Sequence, residues 1–255
     1  MKTSIQIIAT AVCLLFGNAA FAQLDSVYIV KGDSVLAVYA TTDLDSVIFY
    51  NPNPIDTTTN STTTDADGNV YTSSTIGTQE WMSENLRTTK YSDGTAIPNL
   101  TDDTEWANDT TGAWSHYDND NQYDTIYGKL YNWYAIETGK LCPTGWHVPT
   151  DAEWTVLEEY LTANGHSGTE ATALKSTSGW NSGGNGTDDY GWNGLPGGSR
   201  SNYYGFEYIG RGSWWSSSQY NAYNAWYRNL YNNDGDVAKY YVTKKYGFSV
   251  RCLRD

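Results

Sequence analysis

The chain has 255 residues, room for one or two domains, and a formal net charge of −14. That acidic balance argues against nucleic acid, which needs clustered Lys and Arg, and against an anionic membrane surface. Leu, Ile, Val and Phe fall below about a fifth of the chain, a range where disorder is suspected, but 11 Trp and 22 Tyr supply the buried area that a folded core needs.

Residues 1–22 read as an export signal. Lys2 gives the positive start, Ile5 to Phe16 the short apolar run, and Ala20-Phe21-Ala22 a small-x-small cleavage site before Gln23. The run is too short to span a bilayer and no later segment is long and apolar enough, so no membrane span is expected. The expected location is periplasm, cell surface or exterior. Cys13 leaves with the signal, and Cys142 and Cys252 remain. In an exported chain an even pair reads first as a disulfide, with two buried free thiols as the alternative.

Residues 23–50 form a small β segment of two or three short strands around Val27–Val30, Val35–Ala37 and Val47–Phe49. Residues 51–65, NPNPIDTTTNSTTTD, are a Thr/Pro-rich linker by composition. The main domain then runs over 66–255. Asp67-Gly68-Asn69 reads as a turn opening a hairpin of 70–72 with 78–82, and 128–137 as a short helix. Thr150 and Glu153 form a capping box, followed by Trp154, Leu157 and Leu161 on one face and Gly165 as a left-handed stop. The spacing predicts a helix over 151–163. Gly-rich turns follow, then strands around Trp214-Trp215-Ser216, Ala225–Arg228 and Gly247–Cys252.

Several phrases resemble one bacterial family, the Fibrobacter succinogenes major paralogous domain: DADGNVY at 65–71, IGTQEWMSENLRTTKYSDGTAIP at 76–98, YGKLYNWYAI at 127–136, LCPTGWHVPTDAEW at 141–154, GLPGGSR at 194–200 and YGFSVRCLRD at 246–255. They cover nearly all of 66–255 in order. The phrase from His147 to Trp154 and Gly247-Phe248-Ser249 are also similar, more remotely, to the formylglycine-generating enzymes. The resemblance implies an α+β, loop-rich domain of C-type-lectin-like (formylglycine-generating-enzyme-like) fold. It also implies a disulfide from Cys142, before the first main helix, to Cys252 in the last strand. The reactive cysteine pair of those enzymes has no counterpart, since 235–246 contains no Cys.

No catalytic constellation emerges. His116, His147 and His166 are scattered. Glu158-Glu159 and Asp188-Asp189 read as solvated carboxylates rather than a facing pair. Asp118, Asp120 and Asp124 gather oxygen ligands as calcium prefers, which makes calcium the candidate cofactor, and Asp65, Asp67 and Asn69 form a weaker set. The most informative stretch is 200–246, which holds ten Tyr, three Trp, six Asn and five Ser. Rings with amides and hydroxyls give contact area at low entropic cost together with adaptable hydrogen bonds. Trp214, Trp215 and Trp226 are expected in or half in the core. Tyr220, Tyr223, Asn224, Tyr227, Asn229, Tyr231 and Asn232 are expected on one ligand-binding face. The reading is a non-enzymatic exported module that binds a glycan or protein. The alternatives are a structural component of the envelope or a divergent formylglycine-generating-type enzyme.

Overall fold

The computed structural model describes residues 5–16, 19–31, 34–40 and 61–255, with side chains from residue 61 onward. The chain divides into two units, Met1–Thr57 and Thr58–Asp255. In the first, β1 (Ile5–Phe16), β2 (Ala19–Lys31) and β3 (Ser34–Ala40) form an antiparallel meander. The expected strand around Val27 lies in β2, with Val27 opposite Tyr39 and Ile29 opposite Ala37. The expected strand at 47–49 and the linker residues 51–60 lie outside the described residues.

The second unit opens with β4 (Thr63–Thr64), β5 (Val70–Tyr71), β6 (Ser73–Ile76), β7 (Gln79–Met82) and α1 (Asp103–Asn108). Then come β8 (Trp114–Ser115), α2 (Asp124–Tyr127), β9 (Leu130–Asn132), α3 (Trp133–Glu137), β10 (Trp146–His147), α4 (Asp151–Leu161) and α5 (Glu170–Leu174). The last part is β-rich: β11 (Ser199–Ser201), β12 (Gly205–Glu207), β13 (Gly212–Gln219), β14 (Asn224–Leu230), β15 (Val237–Thr243), β16 (Gly247–Phe248) and β17 (Leu253–Arg254). The sheets run β10-β17-β7-β6, β12-β11-β16-β9-β8, β13-β14-β15 and β4-β5. Neighbouring strands pair antiparallel, so the unit is α+β, a mix of antiparallel sheets and short helices. Among the described residues no helix is long and apolar enough to cross a membrane.

Several local expectations change in the structure. The Asp67-Gly68-Asn69 turn closes β4 on β5, so Thr63–Thr64 belong to a strand rather than to the linker. The next hairpin is β6 with β7, closed at Gly77-Thr78. Gly77 has φ +63, and a Cβ there would stand 2.7 Å from the Tyr160 ring. The segment 128–137 is half strand and half helix. Leu130, Tyr131 and Asn132 are all buried between β8 and β16, and the Asn132 side chain then caps α3 by accepting from Ala135 N–H. Asn caps compete with continued helix, which explains the late start. The helix at 151 forms as expected, with both halves of the Thr150–Glu153 capping box in place. It leaves α geometry after Leu161 and runs into one π turn, where Gly165 takes φ +96.

The core is aromatic. Trp81, Trp154, Trp192 and Trp214 are each fully buried and linked ring to ring, with centroids 4.9 Å apart for Trp81–Trp154 and 5.0 Å for Trp192–Trp214. A second cluster gathers Tyr71, Tyr131, Trp133, Trp215 and Phe248 around the Cys142–Cys252 disulfide. The bridge ties the loop before β10 to the residue before β17. Arg200, Arg228 and Arg251 are also fully buried. Arg251 lies on the Trp192 ring at 4.1 Å and donates to Asn85 and to main-chain carbonyls, so its desolvated charge is met by dipoles.

Candidate ligand-binding face

The sheet β13-β14-β15 carries the residues singled out from 200–246. The hairpin joining β13 to β14 turns at Asn221, whose Oδ1 accepts from the main-chain N–H of Tyr223 and Asn224. Register pairs Trp214 with Arg228 and Trp215 with Tyr227 across β13 and β14. Trp226 faces Tyr241, Tyr227 faces Tyr240 and Arg228 faces Lys239 across β14 and β15. Successive side chains on a strand point to opposite sides. The Tyr/Asn pattern is therefore split between two sheet faces and does not form one.

On the first face, Leu230 packs with Trp214 in the tryptophan core. Next along β14 is Arg228, 0% exposed, held by Asp151 Oδ1 at 2.7 Å and by Glu158 of α4. Lys239 meets Asp151 Oδ2 at 2.7 Å and lies 4.4 Å from the centre of the Trp226 ring. Burial pushes Asp151 up, but hydrogen bonds from Lys239 and Arg228 outweigh it and hold the carboxyl below its ordinary value. For Glu158 burial wins over the Arg228 bond, and its carboxyl stands above its ordinary value. Glu158 is thus half-buried and paired, a correction to the solvated reading, while Glu159 is exposed.

Beyond this network the face opens. Tyr220 and Tyr241 stack with centroids 3.8 Å apart and planes 13° from parallel. Trp226 meets both edge-on, at 5.0 Å and 5.6 Å. Tyr220 and Tyr241 remain 45% and 49% exposed, and Tyr223 at the hairpin tip is 78% exposed. The half-buried Asn224 completes this end through Nδ2 to Asn221 Oδ1 at 3.2 Å.

The other predicted residues go elsewhere. Tyr227 is half-buried against Phe248 and Trp215, at 4.6 Å and 6.2 Å, and burial raises its phenol above the ordinary value. Asn229 is buried, with Nδ2 donating to Ser213 Oγ at 3.1 Å, on the same sheet face as Tyr227 and opposite the stack. Tyr231 and Asn232 follow the end of β14, half-buried, with Tyr231 beside Arg211 and Asn232 against Gly184. Trp214 and Trp215 are fully buried and Trp226 is partly buried, as expected. Tyr241 and Lys239 were missed. Their strand shows only as the run Val237 to Thr243, and its register is set by pairing rather than by composition.

The calcium set does not assemble. Asp124 is engaged by His116 Nδ1 at 2.8 Å and by Lys129, whose ammonium stands where a cation would. Asp120 caps its own turn by accepting from Gln122 N–H, and Asp118 is exposed at φ +54. In the weaker set, Asp65 accepts from the N–H of Asp67 and Asn69 and from Tyr71, while Asp67 meets Thr89 and Lys90. The loop closes on its own donors. Among the described residues no group of three or more His, Cys, Asp or Glu could hold a metal ion. His147 sits between Glu153 and Asp255, at 3.0 Å and 2.7 Å, joining the helix cap to the last residue. A groove of about 580 Å³ lies beside α4, lined by Glu158, Glu159, Glu170 and Asp236 among others.

The family model for the Fibrobacter succinogenes major domain matches residues 75–254, most of the second unit. The chain belongs to this family. No curated protein and no solved structure matches it. The match takes in all of β13-β14-β15, so the Tyr220–Trp226–Tyr241 stack lies inside the Fibrobacter succinogenes major domain. The domain also contains the disulfide and α4.

Proposed function

We propose that the chain is an exported, non-enzymatic binding module that recognises a glycan through the Tyr220–Trp226–Tyr241 stack. The observation that carries this is the parallel Tyr220–Tyr241 pair, about half exposed and locked edge-on against Trp226. Rings that fill a core are covered; these are not. They are held rigid by packing, so little entropy is lost when a flat ligand lies on them. A pyranose offers an apolar C–H face for such a platform and hydroxyls for Asn221, Asn224 and Tyr223 around it. Beside the platform on the same face, Lys239 lies over Trp226 and pairs with Asp151, which also holds buried Arg228.

A C-type-lectin-like arrangement is the fold reading that accompanies this proposal. Its support is the capped helix following Cys142 and the bridge from there to the last strands. Export rests on the signal-like residues 1–22.

The test is a titration of the full chain with soluble neutral polysaccharides, followed by tryptophan fluorescence, since Trp226 lies in the stack. Saturable binding that weakens about tenfold or more in Tyr220→Ala and Tyr241→Ala supports the reading. Binding that both variants retain unchanged places recognition elsewhere and refutes it.

A further inference from the structure

At the other end of β13 and β14 from the stack, Arg211 lies between two tyrosine rings. Its guanidinium carbon is 4.3 Å from the centre of Tyr208 and 5.2 Å from that of Tyr231. Among the described residues its guanidinium has no hydrogen-bond acceptor and no carboxylate partner. This sets it apart. Every other lysine and arginine from residue 61 onward engages an acceptor: Arg87, Lys175 and Lys245 on carbonyls, Arg251 on Asn85 and carbonyls, and the rest on carboxylates. In a chain of net charge −14 an idle cation is conspicuous.

The arginine is also positioned at a cost. Tyr208 takes φ +60, a left-handed backbone that a bulky residue adopts unfavourably. The turn is pinned in that shape by Arg211 N–H to Tyr208 O at 2.9 Å, Gly210 N–H to Pro196 O at 3.2 Å, Gly198 N–H to Arg211 O at 2.9 Å and Asn181 Nδ2 to Ile209 O at 3.0 Å. The result is a tyrosine 54% exposed beside a guanidinium held flat by rings. Asp234 makes no salt bridge with Arg211; its Oδ1 accepts from Asp236 N–H in its own turn. Backbone strain that persists in a well-tied turn points to function.

We propose that Arg211, clasped by Tyr208 and Tyr231, is an anion-recognition site that takes the carboxylate of a uronic-acid sugar. A planar guanidinium presents paired donors that match a carboxylate in bidentate fashion. The exposed Tyr208 ring gives the pyranose of that sugar a face to lie on, which a peptide carboxylate does not need. Stacking also strips water from the cation without neutralising it, so the charge acts at close range. The site shares no residue with the Tyr220–Trp226–Tyr241 stack, so each stands or falls alone.

The experiment is calorimetric titration of the full chain with a panel of uronate oligosaccharides and their carboxyl-reduced neutral counterparts. The expected result is binding of a uronate and at least about tenfold weaker binding of its neutral form. Arg211→Gln should lose about ten- to a hundredfold in affinity, and Arg211→Lys should lose most of it, because a point charge lacks the fork. Lys140→Gln, which removes a surface cation paired with Asp93 and belonging to neither cluster, should leave uronate affinity unchanged. The melting temperature of Arg211→Gln should fall by only a few degrees, since the side chain gives up two cation–π contacts and no hydrogen bond, which keeps a binding loss interpretable. Absence of uronate binding, or full affinity in Arg211→Gln, overturns the proposal. Equal competition by oligoglutamate overturns its sugar component.

Discussion

Breaking the Cys142–Cys252 bridge should cost the second unit several kcal/mol of stability. The bridge spans 110 residues of sequence. Cross-linking a loop of that length removes unfolded-state entropy equivalent to about 4.8 kcal/mol at room temperature in the chain-entropy relation. For a unit of this size each kcal/mol moves the melting temperature by roughly 2–4 °C, so the expected drop is about 10–20 °C. Both sulfurs are buried, so reduction must be done in denaturant and the chain refolded with reductant present. Melting curves of the oxidised and reduced chain compare identical side chains and isolate the bridge. The Cys142→Ala, Cys252→Ala double variant should melt low with or without reductant. A drop under about 3 °C on reduction would show that the two cysteines are not joined in the folded chain, or that the unfolded chain is already constrained.

Other expectations follow from the packing and the charges. Trp154→Ala removes a fully buried ring touching Trp81 and Trp192 and should cost about 3–5 kcal/mol by denaturant titration. Thr150→Ala deletes one half of the capping box and should cost about 1 kcal/mol, with no effect on glycan affinity. Asp151 is held below its ordinary value, so its contribution is complete above the unfolded value and drains away as pH falls through the lower folded one. Asp151→Asn should therefore flatten the acid limb of the stability curve below about pH 4; an unchanged limb would mean that the Lys239 and Arg228 contacts do not form in solution. Glu158 works in the opposite sense. Its folded value is raised, so stability is lost as pH rises from the ordinary carboxylate range through the raised value.

How far the sequence announced this structure varies by element. The helix at 151 was legible because capping and periodicity agree: Thr150 and Glu153 mark the start, and Trp154, Leu157 and Leu161 mark the buried stripe. The aromatic core followed from composition, since too few aliphatic residues remained to fill one. The segment 128–137 misled because Leu130 to Asn132 carry no period that separates a buried strand from a helix, and the cap at Asn132 marks the helix start only in retrospect. The exposed aromatic stack was half legible. Composition located the region, but the grouping of Tyr227 and Asn229 with Tyr220 ignored strand parity, which puts the first two on the opposite sheet face from the stack. Tyr241 could be placed beside Tyr220 only once β15 was known to pair with β14. Arg228 gave no sign of burial, because its partners Asp151 and Glu158 lie far away in sequence. The acidic runs at 118–124 read as ligand sets because spacing says nothing of what the oxygens already hold, and here Lys129, His116 and main-chain N–H groups hold them.

The most direct test of the account is a glycan array probed with the full chain, its Tyr220→Ala variant and its Tyr241→Ala variant, in calcium and in chelator. Binding to a neutral glycan should survive the chelator and weaken about tenfold or more in both variants, which lose about 1–3 kcal/mol of stability with the ring contacts and stay folded. Binding that the chelator abolishes, or that both variants keep, would contradict recognition by the aromatic stack.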